Sequence, residues 1–423
     1  MHSDVIVIGA GAAGLAAARR LHDVGVKVRV VEARDRIGGR IWTEEGLEPF
    51  PVELGAELIH GESTLTRQLL AEAGLHDLPV DRYGRLRWAD GGPARPLAEL
   101  PADRRDTIRA LKAAYHELPA TPWDNGEPDI SLADYLRGRG FTGEALEIAD
   151  VLLAQTCCAH LSSLSCADLA RELRADHAGQ EEFRVAEGYG ALLNWLARDL
   201  QIVLGTPALT LRRGSQGVAV ETESRVFTAA RCVVTLPVSV LQTGALRFDP
   251  PLSPSKQRAI AAMRSEAATK LFYRFDAPLW DSELTFMAHL GVASRWWTPG
   301  YGRDGSAVIA AYITARRAEQ IDAMGEAEAL HMGLDELGGL LGVGDIAGRC
   351  QMARRVSWGS DPYALGGYAH VPPGAAKSRV DLAAPEGDML FFAGEATAYE
   401  SNPQTVHGAF ESGWRAAEEV LGA

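Results

Sequence analysis

Residues 4–21 read "DVIVIGAGAAGLAAARRL". The run "DVIVI" at 4–8 is short, apolar and rich in β-branched residues, as in a strand buried on both faces. Glycines follow at 9, 11 and 14, and "LAAARRL" then continues as a helix. Gly9 permits a tight turn, Gly11 lets backbone approach a pyrophosphate, and Gly14 lets helix and strand pack closely. The helix start presents unpaired N–H groups and a positive dipole end to that diphosphate. "VKVRVVE" (26–32) supplies a second strand, and Glu32 ends it eighteen residues after Gly14, where a carboxylate can accept hydrogen bonds from an adenosine ribose. A carboxylate there also disfavours the 2′-phosphate of NADP. Three glycines alone describe many turns. The strand–helix–strand–acid order makes this an α/β, doubly wound Rossmann-type domain that binds a dinucleotide.

The chain has 423 residues, long for a single core, so a second domain is expected. Its 47% hydrophobic and 23% charged residues suit a globular protein. The net charge of −14 argues against nucleic acid or an anionic membrane surface and is compatible with a small cationic substrate. Five cysteines (157, 158, 166, 232, 350) lack paired C-x-x-C spacing, which points away from a disulfide framework or zinc site and towards a reducing compartment. No HExxH, metal-spaced cluster or GxSxG elbow is present, so no metal is expected. A strand from residue 4 leaves no room for a signal peptide, and no apolar run reaches the ~18 residues of a membrane span. The expected location is cytoplasmic.

Directly after Glu32, "ARDRIGGR" (33–40) offers a second backbone approach at Gly38 and Gly39 and a guanidinium, Arg40, for the same diphosphate. At the other end, "LFFAGEATAYESNPQTVHGAFESGWR" (390–415) reads as a strand ending at Gly394 and an amphipathic helix from Val406. Together these segments resemble the FAD motifs of the flavin-containing amine oxidase family, closer to its polyamine oxidases than to its monoamine oxidases. The resemblance implies non-covalent FAD and the two-domain amine oxidase fold, with an α+β substrate domain. Ala33 and Arg34 would join Glu32 at the cofactor, Glu395 would hydrogen-bond the ribityl chain, and Thr405 and Val406 would meet the isoalloxazine edge. "VELGAELIHG" (52–61) resembles a substrate-side loop and nominates Gly55, Ala56 and Glu57 for the cofactor. The FAD domain would comprise 1–80, 190–250 and 350–423, and the substrate domain 81–189 and 251–349. Residues 97–180 read mostly helical, with 103–118 and 132–155 as candidate helices, and 268–314 read strand-rich.

Within that last stretch "AATKLFYRF" (267–275) sets a lysine in a strand, with Lys270, Phe272 and Arg274 on one face. Edge-strand lysines ordinarily discourage aggregation. The resemblance assigns Lys270 a different task, holding a water against flavin N5, where a fixed positive charge assists electron transfer to O2. It also implies hydride removal from the carbon next to a neutral amine, giving an imine and H2O2. "WGSDPYALGGYAHVPPG" (358–374) resembles the run carrying an aromatic wall, with Trp358 and Tyr368 as catalytic candidates. Gly366 and Gly367 stand where monoamine oxidases tether flavin through cysteine, and Thr405 stands where they place a second tyrosine. Leu58 replaces the arginine by which L-amino-acid oxidases hold a carboxylate, which disfavours amino acids. His60 resembles a polyamine oxidase histidine. A polyamine or acetylpolyamine is therefore the leading substrate, a primary aromatic or alkyl amine the second, and desaturation of C–C bonds a further alternative.

Overall fold

The computed structural model describes residues 2–123, 128–303 and 305–423. The strand His2–Ile8 lies at the centre of the larger sheet. Val28–Val31 pairs parallel to it on one side, followed by Gln201–Val203, and Val226–Val234 pairs parallel on the other. The second half of Val226–Val234 also takes Leu390–Phe392 in parallel, while its first half carries an antiparallel meander, Gly217–Glu221 and Thr210–Gly214. Chain segments nearly 400 residues apart therefore end on one edge, at Gly9, Glu32, Thr235 and Gly394. The crevice beyond these carboxyl ends is where such sheets bind ligands.

The helix Ala12–Asp23 is buried along most of its length because Val406–Gly422 packs across it. Two glycines set the closeness of these contacts. A Cβ on Gly14 would lie 2.0 Å from the Gly9 carbonyl oxygen, and one on Gly413 would lie 2.3 Å from that of Ala13.

A second sheet runs Cys350–Ser357, Ala268–Phe275, Val308–Thr314, Arg295–Trp297, Phe286–Ala288, Leu86–Trp88 and Arg95–Pro96. Ala268–Phe275 is central in this half of the sheet, antiparallel to neighbours on both sides. Its alternation serves two cores. Ala268 and Phe272 join one cluster, and Leu271, Tyr273 and Phe275 join another. Cys350–Ser357, which the sequence reading grouped with the cofactor-binding segments, pairs with Ala268–Phe275 at the edge of this second sheet. Helices cover 102–116, 132–138, 144–149 and 166–175. The single helix expected over 132–155 is broken: Gly140 and Gly143 adopt φ of +90° and +54°, conformations that end a right-handed helix. Within 97–180, residues 124–127 lie outside the described set. No helix among the described residues is long and apolar enough to cross a membrane.

A small three-stranded sheet, Leu58–His60, Glu182–Val185 and Asp77–Val80, joins the two halves of the structure. It brings the 52–61 loop against charged residues near 182.

Candidate active site

One cavity begins at the glycine turn and ends under the second sheet, with 1920 Å³ of empty space when its mouth is included. Its first wall is almost bare backbone. Gly9 takes φ +106° and Gly38 +102°, Gly38 N–H donates to the Ala10 carbonyl at 2.8 Å, and Gly11 lies beside Gly38 in a bridge. The Glu32 carboxylate accepts from the N–H groups of Ala10 (2.6 Å) and Arg34 (2.8 Å), which fixes the turn while the side chain lines the cavity. Arg34 makes a two-pronged pair with Asp361, both contacts at 2.6 Å. Arg40 is held by the Gly367 carbonyl and by Glu395 at 3.0 Å. The helix Val406–Gly422 points its start at the same space, capped by Thr405, whose Oγ1 accepts from Gly408 N–H.

Every residue nominated from the sequence lines this cavity except Gly14, which acts beneath it through close packing. Gly39, Ala33, Gly55, Ala56, Val406 and Gly394 are all at its surface.

At the far end Lys270 is 2% exposed, so the edge-strand reading does not apply. Its Nζ donates to the Glu53 carbonyl at 2.9 Å and to Glu57 Oε2 at 3.0 Å. Glu57 also accepts from Arg184 Nε (2.8 Å) and Trp297 Nε1 (2.8 Å). Burial pushes the Glu57 carboxyl up, but Lys270 and Arg184 outweigh it and hold the group below the ordinary carboxylate range. Glu57, nominated as a cofactor contact, is thus also the counter-ion of the lysine. Burial raises the neighbouring Glu53 carboxyl to about 7.

Tyr368 lines the same cavity, its OH donating to the Thr156 carbonyl at 3.0 Å and accepting from Tyr312 OH at 2.7 Å. Burial raises the Tyr368 phenol above its ordinary value, so it stays protonated. Trp358 is buried, with Nε1 donating to the Leu54 carbonyl at 3.2 Å. His60 Nδ1 lies 2.9 Å from Glu182 Oε1, an oxygen that also accepts from Arg82 at 2.6 Å. Burial opposes ionisation of Glu182, and the Arg82 guanidinium with His60 overcomes it, holding that carboxyl well below the usual range.

The cavity residues that sequence reading missed include Arg82, Arg295, Trp297 and Tyr312. Arg295 and Trp297 come from "SRWW" (294–297), a cation among aromatic residues in a strand-rich stretch. That pattern alone does not separate a cavity cation from a solvated one, and the family resemblance that singled out Lys270 is thin over this stretch.

The sequence matches the model of the flavin containing amine oxidoreductase family over residues 12–421. The chain belongs to that family. Among curated relatives, lysine-specific histone demethylase 1 homolog 2 of Arabidopsis thaliana is 32% identical over 99% of this chain and 58% of its own length. Human lysine-specific histone demethylase 2 is 27% identical over 99% of this chain and 53% of its own, so the chain spans little more than half of these proteins. Polyamine oxidase 2 of Arabidopsis thaliana is 28% identical over 98% of this chain and 87% of its own. A putrescine oxidase structure bound to putrescine superimposes with a TM-score of 0.87 at 21% identity, covering all of both chains. Cyclohexylamine oxidase from Brevibacterium oxydans IH-35A gives 0.85 at 23%, covering 99% of each. The fold is therefore the amine oxidase fold, and family membership implies a flavin. The cavity fits one: a backbone-only cradle for a diphosphate, an acid beyond it, and room that continues to Lys270 and Tyr368.

Proposed function

We propose that the chain is an FAD-dependent amine oxidase that removes hydrogen from the carbon next to an uncharged amine, with O2 as electron acceptor and H2O2 as product. The supporting observation is one continuous cavity with a glycine cradle at one end and a buried, paired lysine facing a tyrosine wall at the other. Gly9, Gly11, Gly38, Gly39 and Arg40 would hold the diphosphate, Glu32 the adenosine end, and Glu395 and Val406 the flavin end, without a covalent tether. When bound, the flavin supplies the two-electron acceptor.

The chain's own groups do the rest. Lys270, buried and paired with Glu57, supplies a cationic side chain at the cavity wall. Tyr368 and Tyr312 present an aromatic wall whose hydroxyls are spent on each other and on Thr156. A protonated amine meets burial and the Lys270 charge, so the wall favours the neutral form, whose lone pair stabilises positive charge developing on carbon. A strong base at the reacting carbon is not needed.

A polyamine or acetylpolyamine is the substrate supported by the sequence resemblance and by relatives named polyamine oxidase. The test is anaerobic mixing of the purified yellow protein with spermine, N-acetylspermine, phenethylamine and leucine. Bleaching of the flavin by at least one amine is expected, and acid should release the flavin from the chain. A protein that binds no flavin, or stays yellow with every amine, contradicts the proposal.

A further inference from the structure

Arg295 is 1% exposed and lines the cavity, yet its Nε and Nη1 are buried without a hydrogen-bond partner. The other cavity cations are answered: Lys270 by Glu57, Arg82 by Glu182, Arg40 by Glu395 and Arg34 by Asp361. Among the described residues Arg295 alone of these has no ion pair. The Phe286 and Tyr312 rings lie 5.6 and 5.7 Å from its Cζ, which favours the cation but leaves its in-plane N–H groups unmatched. A buried guanidinium without an acceptor is costly, and such a group in a cavity calls for an anion.

The lining carboxylates point the same way. Glu57 is shared by Lys270 and Arg184, Glu395 is held by Arg40, and Glu32 is held by two backbone N–H groups. A second ammonium on a substrate would find no unpaired carboxylate among the described lining residues, and it would face Arg295 and Arg82.

The register fixes where such an anion would sit. Lys270 pairs with Tyr312, and the pairing of Trp296 with Ala311 carries Arg295 next to Tyr312 on its other side. Lys270 and Arg295 thus share one face two strands apart, roughly 10 Å at the backbone. One small molecule can reach both.

We propose that the substrate carries a carboxylate besides its reacting amine, and that Arg295 binds it. This rests on the amine-oxidation reading above but replaces its polyamine with an amino acid, α or ω, because the lining carboxylates that a second ammonium would need are already paired. The absence of an arginine in the 52–61 loop is then answered from a different strand.

The test compares kcat/KM of the holoenzyme for matched pairs: phenylalanine with phenethylamine, and 5-aminopentanoate with pentylamine, alongside putrescine and spermidine. In at least one pair the carboxylated member should exceed its partner about tenfold or more. Arg295→Met should collapse that ratio about 100-fold, largely through KM, and Arg295→Lys should restore part of it. Putrescine or spermidine outrunning both amino acids, or Arg295→Met slowing both members of a pair equally, overturns the proposal. A second measurement needs neither turnover nor a variant: titration of the wild-type flavin spectrum with 3-phenylpropanoate and with its amide. Tighter binding of the carboxylate by about tenfold or more is expected, and equal binding overturns the proposal. If no amine reduces the flavin, the amine-oxidation reading fails, while this titration still decides the role of Arg295.

Discussion

Lys270 and Glu57 show how a single pair governs the site. Both are almost fully buried, and Glu57 gathers Lys270, Arg184 and the Trp297 indole on two oxygens. Removing one partner of a buried pair strands the other charge, at about 3–5 kcal/mol. Glu57→Ala should therefore destabilise the protein by about that much in urea unfolding, and a loss under about 1 kcal/mol would show that the pair is not desolvated as described. Tyr368→Phe removes the acceptor of Tyr312 OH and the donor to the Thr156 carbonyl. It should cost about 1–3 kcal/mol, read in the same unfolding experiment, and an unchanged midpoint would contradict this network. At this scale the glycines were legible because their spacing has a physical reason, and Lys270 and Tyr368 because the stretches that carry them resemble those of a known family. Tyr312 and Arg295 were not, because a strand position reveals its neighbours only when the sheet register is known.

Among the elements, the turn between the first strand and helix gives the sharpest contrast. Gly14 has no room for a methyl group, which would lie 2.0 Å from the Gly9 carbonyl oxygen. A Cβ on Gly11 meets nothing closer than the Gly38 carbonyl oxygen at 3.9 Å, but it would project where the cradle approaches a diphosphate. Gly14→Ala should fold poorly, whereas Gly11→Ala should fold with near-normal far-UV circular dichroism and lose bound flavin about tenfold or more. Equal flavin content in Gly11→Ala and wild type would remove the cradle from the account. This turn was readable from sequence because strand, glycines, helix and acid follow one another within 32 residues. The helix expected over 132–155 was misread because its apolar period runs on past Gly140 and Gly143, whose positive φ appears only in three dimensions. The pairing of Cys350–Ser357 was not legible for a related reason: its partner, Ala268–Phe275, is distant in sequence.

On the scale of the whole molecule, one cavity is lined by the glycine turn of the first sheet and by Lys270, Tyr312 and Arg295 of the second, with Tyr368 in the segment that follows Cys350–Ser357. The general division into two such sheets was visible in the sequence, and the charge balance of the shared cavity was not. Two consequences concern pH. His370 is buried, its ring nitrogens lack hydrogen bonds, Nε2 lies 3.5 Å from Glu266 Oε1, and burial, then Arg379 and Arg264, lower its pKa to about 4. The folded state then binds fewer protons than the unfolded chain between about 6.5 and 4, so this contribution to stability is present above that window and lost as pH falls through it. His370→Gln should flatten the fall in Tm over that range, and an identical Tm profile would contradict this assignment. Turnover should respond at the opposite end: since aliphatic amines ionise near pH ~10.4, kcat/KM should rise with pH through one ionisation of the substrate, and a flat profile up to that pH would contradict selection of the neutral amine. The central claim, that a buried cation beside the flavin serves the transfer of electrons to O2, is tested most directly by stopped-flow reoxidation. The measurement follows amine-reduced wild type and Lys270→Met mixed with O2, each with its flavin content verified. Reoxidation should be about 100-fold or more slower in the variant; equal rates in the two proteins would contradict the account.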